Sequence, residues 1–147
     1  MSGKEIKKPN KELEEIKKLI GSGAWDKDFN DFPGPTYSFT SDGFGCVLTR
    51  SITGVWSAEI KIPEGNPYAK LSLARLNKKI TVHGTFSWKD GASVFFDCAA
   101  YLDMIPFDQY IHKRTGMKFP PHYVYRDYAY IEAEAKKAIQ QMLKFKK

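Results

Sequence analysis

The pattern of apolar and polar positions predicts strands in the middle of the chain and helices at both ends. From Val55 to Ile62, apolar and polar side chains alternate as they do in a half-buried strand. Tyr37 to Phe39 and Gly45 to Arg50 are predicted to be short strands, because the turn residues 41–43 separate two apolar runs. Residues 68–77 fit either a short helix or a connector.

Apolar residues at helical spacing predict a short amphipathic helix from Lys11 to Ile20 and a longer one from Tyr128 to about Lys144. Asn10 and Asp127 stand where these helices would begin, and either side chain can cap a helix N-terminus. The apolar face of the first helix is expected to contain Leu13, Ile16, Leu19 and Ile20. The core stripe of the second helix is expected to contain Ile131, Ala135, Ala138, Ile139, Met142 and Leu143.

The clearest hairpin lies at residues 79–103, KITVHGTFSWKDGASVFFDCAAYLD. Residues 89–91, Lys-Asp-Gly, have the chemistry of a three-residue turn with glycine in the left-handed position. This turn would place His83 opposite Asp97. A two-residue turn would place His83 opposite Cys98, but it would mix the apolar and polar faces, so the first register is favoured.

In the favoured register, the Cβ atoms of His83 and Asp97 would be about 5 Å apart. A carboxylate beside an imidazole favours the imidazolium and fixes the tautomer, as it does in general bases and around metal ligands. The pair is therefore a candidate catalytic dyad, and a structural cross-strand hydrogen bond is the alternative. A metal site would require Asp103 to join them. The histidine spacing is not that of metal ligands, so no metal is predicted.

The net charge of +6 suits an acidic partner, such as nucleic acid, a nucleotide or an acidic protein surface. Much of the excess comes from lysines near the two ends, which are often only solubilising. The basic residues His112, Lys113 and Arg114 follow the aromatic Tyr110. This composition is typical of sites that stack on and neutralise a nucleotide or a single strand, and a packed cover over the sheet is the alternative.

The length of 147 residues fits one domain, residues 1–147, in which 1–9 form a disordered basic lead-in and 99–125 a long loop. The sequence contains neither an apolar run long enough to span a membrane nor the apolar stretch of a signal peptide. We therefore expect a cytoplasmic protein without a membrane partner. Cys46 and Cys98 are too few for a disulfide framework or a cysteine-rich zinc site.

These elements together predict an α+β fold. An antiparallel sheet of about five strands would be packed by the C-terminal helix, with the short N-terminal helix alongside. The sequence contains no phosphate-binding loop, no dinucleotide-type glycine fingerprint, no nucleophile elbow and no His-Glu-x-x-His motif. No cofactor is predicted.

Three segments, TVHGTFSW at 81–88, VFFDCAAYLD at 94–103 and YRDYAYIEAEAKKAIQQM at 125–142, resemble a widespread family of small phage and prophage proteins. Its members typically carry a Val-His-Gly-Gly strand, a Phe-Asp-Cys-Ala-His segment ending in Asp, and a helix that starts with Tyr-Arg-Asp. The resemblance covers about residues 53–103 and 125–143. The residues that match this pattern are His83, Gly84, Asp97, Cys98, Asp103, Arg126 and Asp127.

The chain departs from the family pattern at two positions. Thr85 stands where the second glycine is usual, and Ala100 stands where the histidine is usual. If that histidine served catalysis or metal binding in the family, this chain lacks the group. The resemblance therefore favours a binding role over an enzyme.

The first functional hypothesis is a non-enzymatic accessory protein of a phage or mobile element, acting in the cytoplasm of the bacterial host cell. It would bind and antagonise a host defence protein, or sequester a small anionic signal of the nucleotide type. The expected ligand-binding residues are His83, Asp97, Asp103, Tyr110, His112, Lys113, Arg114 and Arg126.

The alternative hypothesis is a small hydrolase or nucleotide-processing enzyme. It would use His83 as the base, Asp97 to orient it, and Asp103 with Arg126 for the substrate or a metal. A second alternative is plain nucleic-acid binding, which would show steep salt dependence. The sequence leaves the oligomeric state open.

Overall fold

The computed structural model describes residues 11–100 and 102–144. The predicted lead-in at 1–9 and the capping role of Asn10 lie outside the described residues.

Five antiparallel strands form one sheet in the order β1-β2-β3-β5-β4. The strands are β1 (Thr36–Ser41), β2 (Phe44–Arg50), β3 (Trp56–Lys61), β4 (Trp88–Asp90) and β5 (Ser93–Asp97). Buried and partly exposed residues alternate along β2, β3 and β5. One face of the sheet therefore belongs to the core, because successive side chains of a strand point to opposite faces.

The described residues contain the helices α1 (Lys11–Ile20), α2 (Asp26–Asp31), α3 (Leu73–Lys79), α4 (Asp108–Thr115) and α5 (Tyr128–Leu143), and a 3-10 helix at Pro67–Lys70. Asp127 caps α5, because its Oδ1 accepts a hydrogen bond of 2.8 Å from the backbone nitrogen of Tyr130. Helix α5 packs against β2 and β3. The predicted α+β fold, with five antiparallel strands, a C-terminal helix on the sheet and a short N-terminal helix, is confirmed.

The buried apolar residues of the described segments form two cores. The main core lies between α5 and the sheet, and the smaller one contains Leu13, Ile20, Trp25 and Phe29 of the N-terminal region. Leu19 and Leu143, which were predicted to be buried, are instead 46% and 40% exposed. Each is in the last two residues of its helix, next to a buried residue, Ile20 or Met142. The buried face of each helix includes only one residue of these adjacent apolar pairs, so the other is partly exposed to solvent.

The segment 99–125, predicted as a long loop, contains α4 and an isolated bridge between Asp103 and Val124. Within residues 11–100 and 102–144, no helix combines the length and the apolar character that crossing a bilayer requires.

The carboxylate of Asp28 connects the two cores. Asp28 is only 5% exposed, and its Oδ2 accepts hydrogen bonds of 3.0 Å from Trp56 Nε1 and from the backbone nitrogen of Tyr128. The hydroxyl of Tyr125 donates to the same oxygen. A buried carboxylate requires such donors, since it would otherwise lose its hydration without replacement. Asp28 thereby attaches α2 to the sheet and to the first residue of α5.

We predict that Asp28→Ala lowers the free energy of unfolding by about 3 kcal/mol, because it leaves several buried donors without an acceptor. Urea unfolding followed by circular dichroism measures the change. Asp31→Ala, an exposed position at the end of the same helix, is the matched control and should change stability by no more than about 0.5 kcal/mol. Equal effects of the two substitutions would mean that Asp28 does not connect the cores.

Candidate functional site

The predicted register of the hairpin is wrong. Of the predicted first strand of the hairpin, only Trp88–Asp90 pairs with β5, and Trp88 lies opposite Phe95. The turn consists of Gly91 and Ala92, with Gly91 at a φ of 58°. His83 lies before β4 in an irregular segment, so the His83–Asp97 dyad does not form.

The segment 80–87 leaves the sheet because two amide side chains bond its backbone. Asn77 accepts from the nitrogen of Phe86 at 2.8 Å and donates to its carbonyl oxygen at 2.9 Å. Gln141 does the same for Thr81, at 2.8 and 2.7 Å. Each amide satisfies the two backbone groups that a neighbouring strand would otherwise bond. The segment can therefore turn away from β5 without unpaired backbone groups at these residues.

Left-handed backbone conformations stand beside both His83 and Asp103. Gly84 and Thr85, which follow His83, both have a φ of 67°, and Leu102, which precedes Asp103, has a φ of 71°. The conformation costs a residue with a Cβ about 1–2 kcal/mol. Such residues persist where the surrounding structure enforces them, and they concentrate at functional sites. These turns bring the imidazole and the carboxylate together.

Asp103 is the centre of the cluster that results. Its side chain is 0% exposed, and its Oδ2 lies 2.6 Å from Nε2 of His83 and accepts a hydrogen bond of 2.9 Å from the backbone nitrogen of Ala100. Its Oδ1 accepts from Nε of Arg126 at 3.0 Å. The side chains of His83 and Arg126 are 12% and 27% exposed. The structure therefore places a buried carboxylate beneath two partly exposed basic groups.

Tyr130 of α5 completes the cluster. Its hydroxyl lies 2.8 Å from Nδ1 of His83, so both ring nitrogens of the histidine are hydrogen-bonded. Nε2 faces a carboxylate, which only accepts, so Nε2 carries a proton and Nδ1 accepts the tyrosine proton when the ring is neutral. Burial raises the pKa of Tyr130, and the nearby Glu134 adds to this effect, so the phenol stays protonated at neutral pH. The backbone nitrogen of His83 also donates to Oε1 of Glu134 at 2.9 Å.

Sequence reasoning identified His83, Asp103 and Arg126 but missed Tyr130 and Glu134. A partial signal was present, because positions 130 and 134 are four residues apart in the predicted C-terminal helix. Residues at that spacing share one face of a helix. Arg126 precedes the cap of that helix, so the candidate at position 126 did not point to the other two.

Asp97 does not belong to this cluster. Its Oδ1 accepts a hydrogen bond of 3.0 Å from the backbone nitrogen of Ala99. Asp97 alternates with the buried Phe96 along β5, so its side chain points away from the main core. The His83–Asp97 pairing expected for a hydrolase is replaced by a local turn, in which the Asp97 carboxylate accepts a hydrogen bond from the backbone two residues along.

The basic residues of α4 do not converge on one point. Nζ of Lys113 donates to the carbonyl oxygen of Ile20, at the end of α1, at 3.2 Å. Nη1 of Arg114 donates to the hydroxyl of Tyr110 at 2.9 Å. The ring of His112 packs against Phe119 with a centroid distance of 4.6 Å. The structure gives these four predicted ligand-binding residues packing and capping contacts, and none of these contacts reaches Asp103.

Thr85 and Ala100, where the chain departs from the pattern of the phage proteins that it was expected to resemble, lie near the cluster. Thr85 adopts the left-handed backbone that a glycine accepts without strain. A Cβ added at Gly84 would lie 3.0 Å from Cβ of Ala100. Position 100 therefore adjoins the turn that carries His83.

The cysteines are not activated nucleophiles. Both thiols are free and buried. Burial raises the pKa of Cys46 to about 12, and burial, with Asp103 and Asp97 nearby, raises the pKa of Cys98 above its usual range. Thiols in this state behave as small apolar side chains.

In the part of the chain that the structure describes, no group of three or more His, Cys, Asp or Glu side chains could hold a metal ion. Comparisons with protein-family models, with curated proteins and with solved structures found no match for this chain.

We predict that Thr85→Gly stabilises the protein by about 0.5–1 kcal/mol, because relief of the left-handed strain exceeds the extra entropy that glycine has when unfolded. Urea unfolding measures the difference. Thr81→Gly makes the same chemical change at an exposed residue of the same segment that lacks a positive φ. It should lower stability, and a loss of stability in both variants would contradict the strain at position 85.

We also predict that neither cysteine reacts at a measurable rate with the thiol reagent DTNB at pH 8 in the folded protein. A pKa of about 12 for Cys46 leaves about a thousandfold less thiolate than an ordinary cysteine has at this pH. Both thiols should react at once in 8 M urea, which serves as the control. Fast reaction of either thiol in the folded protein would show an accessible, activated cysteine.

Proposed function

We propose that this chain is a non-enzymatic binding protein of a phage or mobile element, which binds a small anionic ligand of the nucleotide type at Arg126. The proposed setting is the cytoplasm of a bacterial host cell. The observation that carries the proposal is the arrangement of the guanidinium of Arg126 on the buried carboxylate of Asp103.

Two contacts fix the orientation of this guanidinium. Nε donates to Asp103 at 3.0 Å, and Cζ lies 4.8 Å from the centre of the Tyr130 ring. Nη1 and Nη2 form no hydrogen bond with the described residues, and the side chain is 27% exposed. An oriented guanidinium loses little entropy on binding, and its planar pair of nitrogens matches a phosphate or a carboxylate. This geometry supports recognition of an anion.

The state of the other reactive groups favours binding over catalysis. A general base needs an acceptor nitrogen within hydrogen-bond reach of the proton that it removes. In neutral His83 that nitrogen is Nδ1, and the proton it faces is the hydroxyl proton of Tyr130. Burial raises the pKa of this phenol, so its proton is harder to remove than that of an ordinary tyrosine. The hydrolase hypothesis depended on the dyad with Asp97, which does not form. By sequestering the signal of a host defence component, the protein would antagonise that component. The support for this role in host defence is the resemblance to phage proteins.

We predict that isothermal titration calorimetry detects binding of at least one member of a panel of phosphate, pyrophosphate, AMP, ATP and cyclic dinucleotides. Arg126→Gln should weaken that binding about 10- to 100-fold, because a charge-assisted bidentate contact contributes about 1.5–3 kcal/mol. Arg75→Gln removes the same charge from an exposed position of α3 and should leave the affinity unchanged.

Arg126→Lys separates recognition from folding. It keeps a positive charge beside Asp103 but removes the planar pair of nitrogens, so it should fold like the native protein and still bind more weakly. Thermal melting of each variant checks the fold. The proposal fails if no member of the panel binds the native protein, or if Arg126→Gln and Arg126→Lys bind as tightly as it does.

A further inference from the structure

The face of the sheet that points away from α5 has the opposite charge from the rest of the protein. The outward residues of β3, β4 and β5, which we call the open face, include the carboxylates of Glu59, Asp90 and Asp97 and one cation, Lys61. None of these residues is buried. The whole chain carries a net charge of +6. A negative surface on a basic protein attracts a positively charged partner and disfavours nucleic acid there.

An aromatic pair lies among these carboxylates. Trp88 and Phe95 are paired across β4 and β5, and their rings stack with centroids 5.1 Å apart and planes 25° apart. Trp88 is 60% exposed. A large aromatic side chain left in water on a flat sheet is typical of an interaction site. Its flat surface accepts a planar cation, and arginine stacks on aromatic rings better than lysine does.

A cleft of about 440 Å³ adjoins the open face at the end of β5. Its lining includes Asp97 and Ser57, which are paired across β5 and β3, and Phe107 and Asp108 at the start of α4. Among residues 11–100 and 102–144, no lysine or arginine lines it. An apolar cleft with a few converging polar groups is the usual form of a binding pocket. Its two carboxylates fit a guanidinium.

The spacing of these two features fits an extended chain. Phe95 and Asp97 are separated by one residue of β5, so their side chains lie about 7 Å apart on the same face. Trp88 lies opposite Phe95 on β4, about 5 Å to the side, a distance that the long side chain of arginine can span. Alternate side chains of an extended peptide have the same spacing. We propose that the open face and the cleft together bind an extended, arginine-bearing segment of a partner protein. One arginine stacks on Trp88, and the arginine two residues along enters the cleft between Asp97 and Asp108.

A labelled peptide of alternating arginine and serine, (Arg-Ser)4, tests the proposal by fluorescence anisotropy with the full chain. The native protein should bind it saturably and at least about fivefold more tightly than (Lys-Ser)4, because guanidinium stacks and forms paired hydrogen bonds. A (Glu-Ser)4 peptide should not bind to this face. The rest of the surface is positively charged and repels both basic peptides. Non-specific electrostatic attraction would therefore not make (Arg-Ser)4 bind more tightly than (Lys-Ser)4.

Trp88→Ala and Asp97→Asn should each weaken binding of (Arg-Ser)4 at least about fivefold, since each removes one of the two arginine contacts. The matched controls are Ile52→Ala, an exposed apolar residue, and Glu15→Gln, an exposed acidic residue of α1. Both controls should bind like the native protein. Arg126→Gln should also bind (Arg-Ser)4 as tightly as the native protein does. This result would show that the open face and the proposed anion site at Arg126 are independent.

Absence of saturable binding would overturn the proposal. So would equal affinity for the lysine peptide, or an equal loss of affinity in Trp88→Ala and Ile52→Ala. Trp88, Asp97, Ile52 and Glu15 lie outside the core, so their variants should melt within a few degrees of the native protein. Thermal melting also checks that Arg126→Gln is folded, because this substitution removes a donor to the buried Asp103.

Discussion

The carboxylate of Asp103 is withdrawn completely from water, and this constraint determines the structure around it. A buried charge is stable only where donors replace the lost hydration. His83, Arg126 and the backbone of Ala100 supply those donors. They come from three separate parts of the chain, so the position of each part depends on the same oxygen atoms. The left-handed residues Thr85 and Leu102 are the local distortions by which the chain reaches that arrangement.

The same constraint separates the roles of the polar groups. The hydrogen bonds that satisfy Asp103 and Tyr130 occupy both nitrogens of His83, so the imidazole serves as a link within the cluster. Arg126 uses only one nitrogen for the carboxylate and leaves its outer edge to solvent. The buried part of the cluster is thereby a support, and the exposed part is the surface that can meet a ligand. A second support of the same kind, Asp28, holds the N-terminal region on the sheet.

Local patterns in the sequence were sufficient for the class of fold and for most elements. The alternation from Trp56 to Ile62 and the cap at Asp127 depend on neighbouring residues, so they predicted β3 and the start of α5 correctly. The hairpin register failed because distant side chains decided it. The side chains of Asn77 and Gln141 bond the backbone of Phe86 and Thr81 in place of a neighbouring strand. Both residues lie outside 79–103, so the pattern of apolar and polar residues within that segment gave no sign of these contacts. The site was found in part. The residues His83, Asp103 and Arg126 were identified as candidates, but the contact of His83 with Asp103 was not predicted, because only the folding of distant segments brings these two residues together.

The hydrogen bonds of Asn77 and Gln141 mean that the conformation of one segment is determined by residues distant from it in the sequence. The path of the segment 80–87 is specified mainly by residues of α3 and α5. Of its two left-handed positions, only Gly84 is favoured by its own residue type. The segment transplanted alone into another protein would not keep its shape. Asn77 of α3 and Gln141 of α5 also determine its conformation. A search for related proteins that uses only the sequence of the segment would miss these two residues.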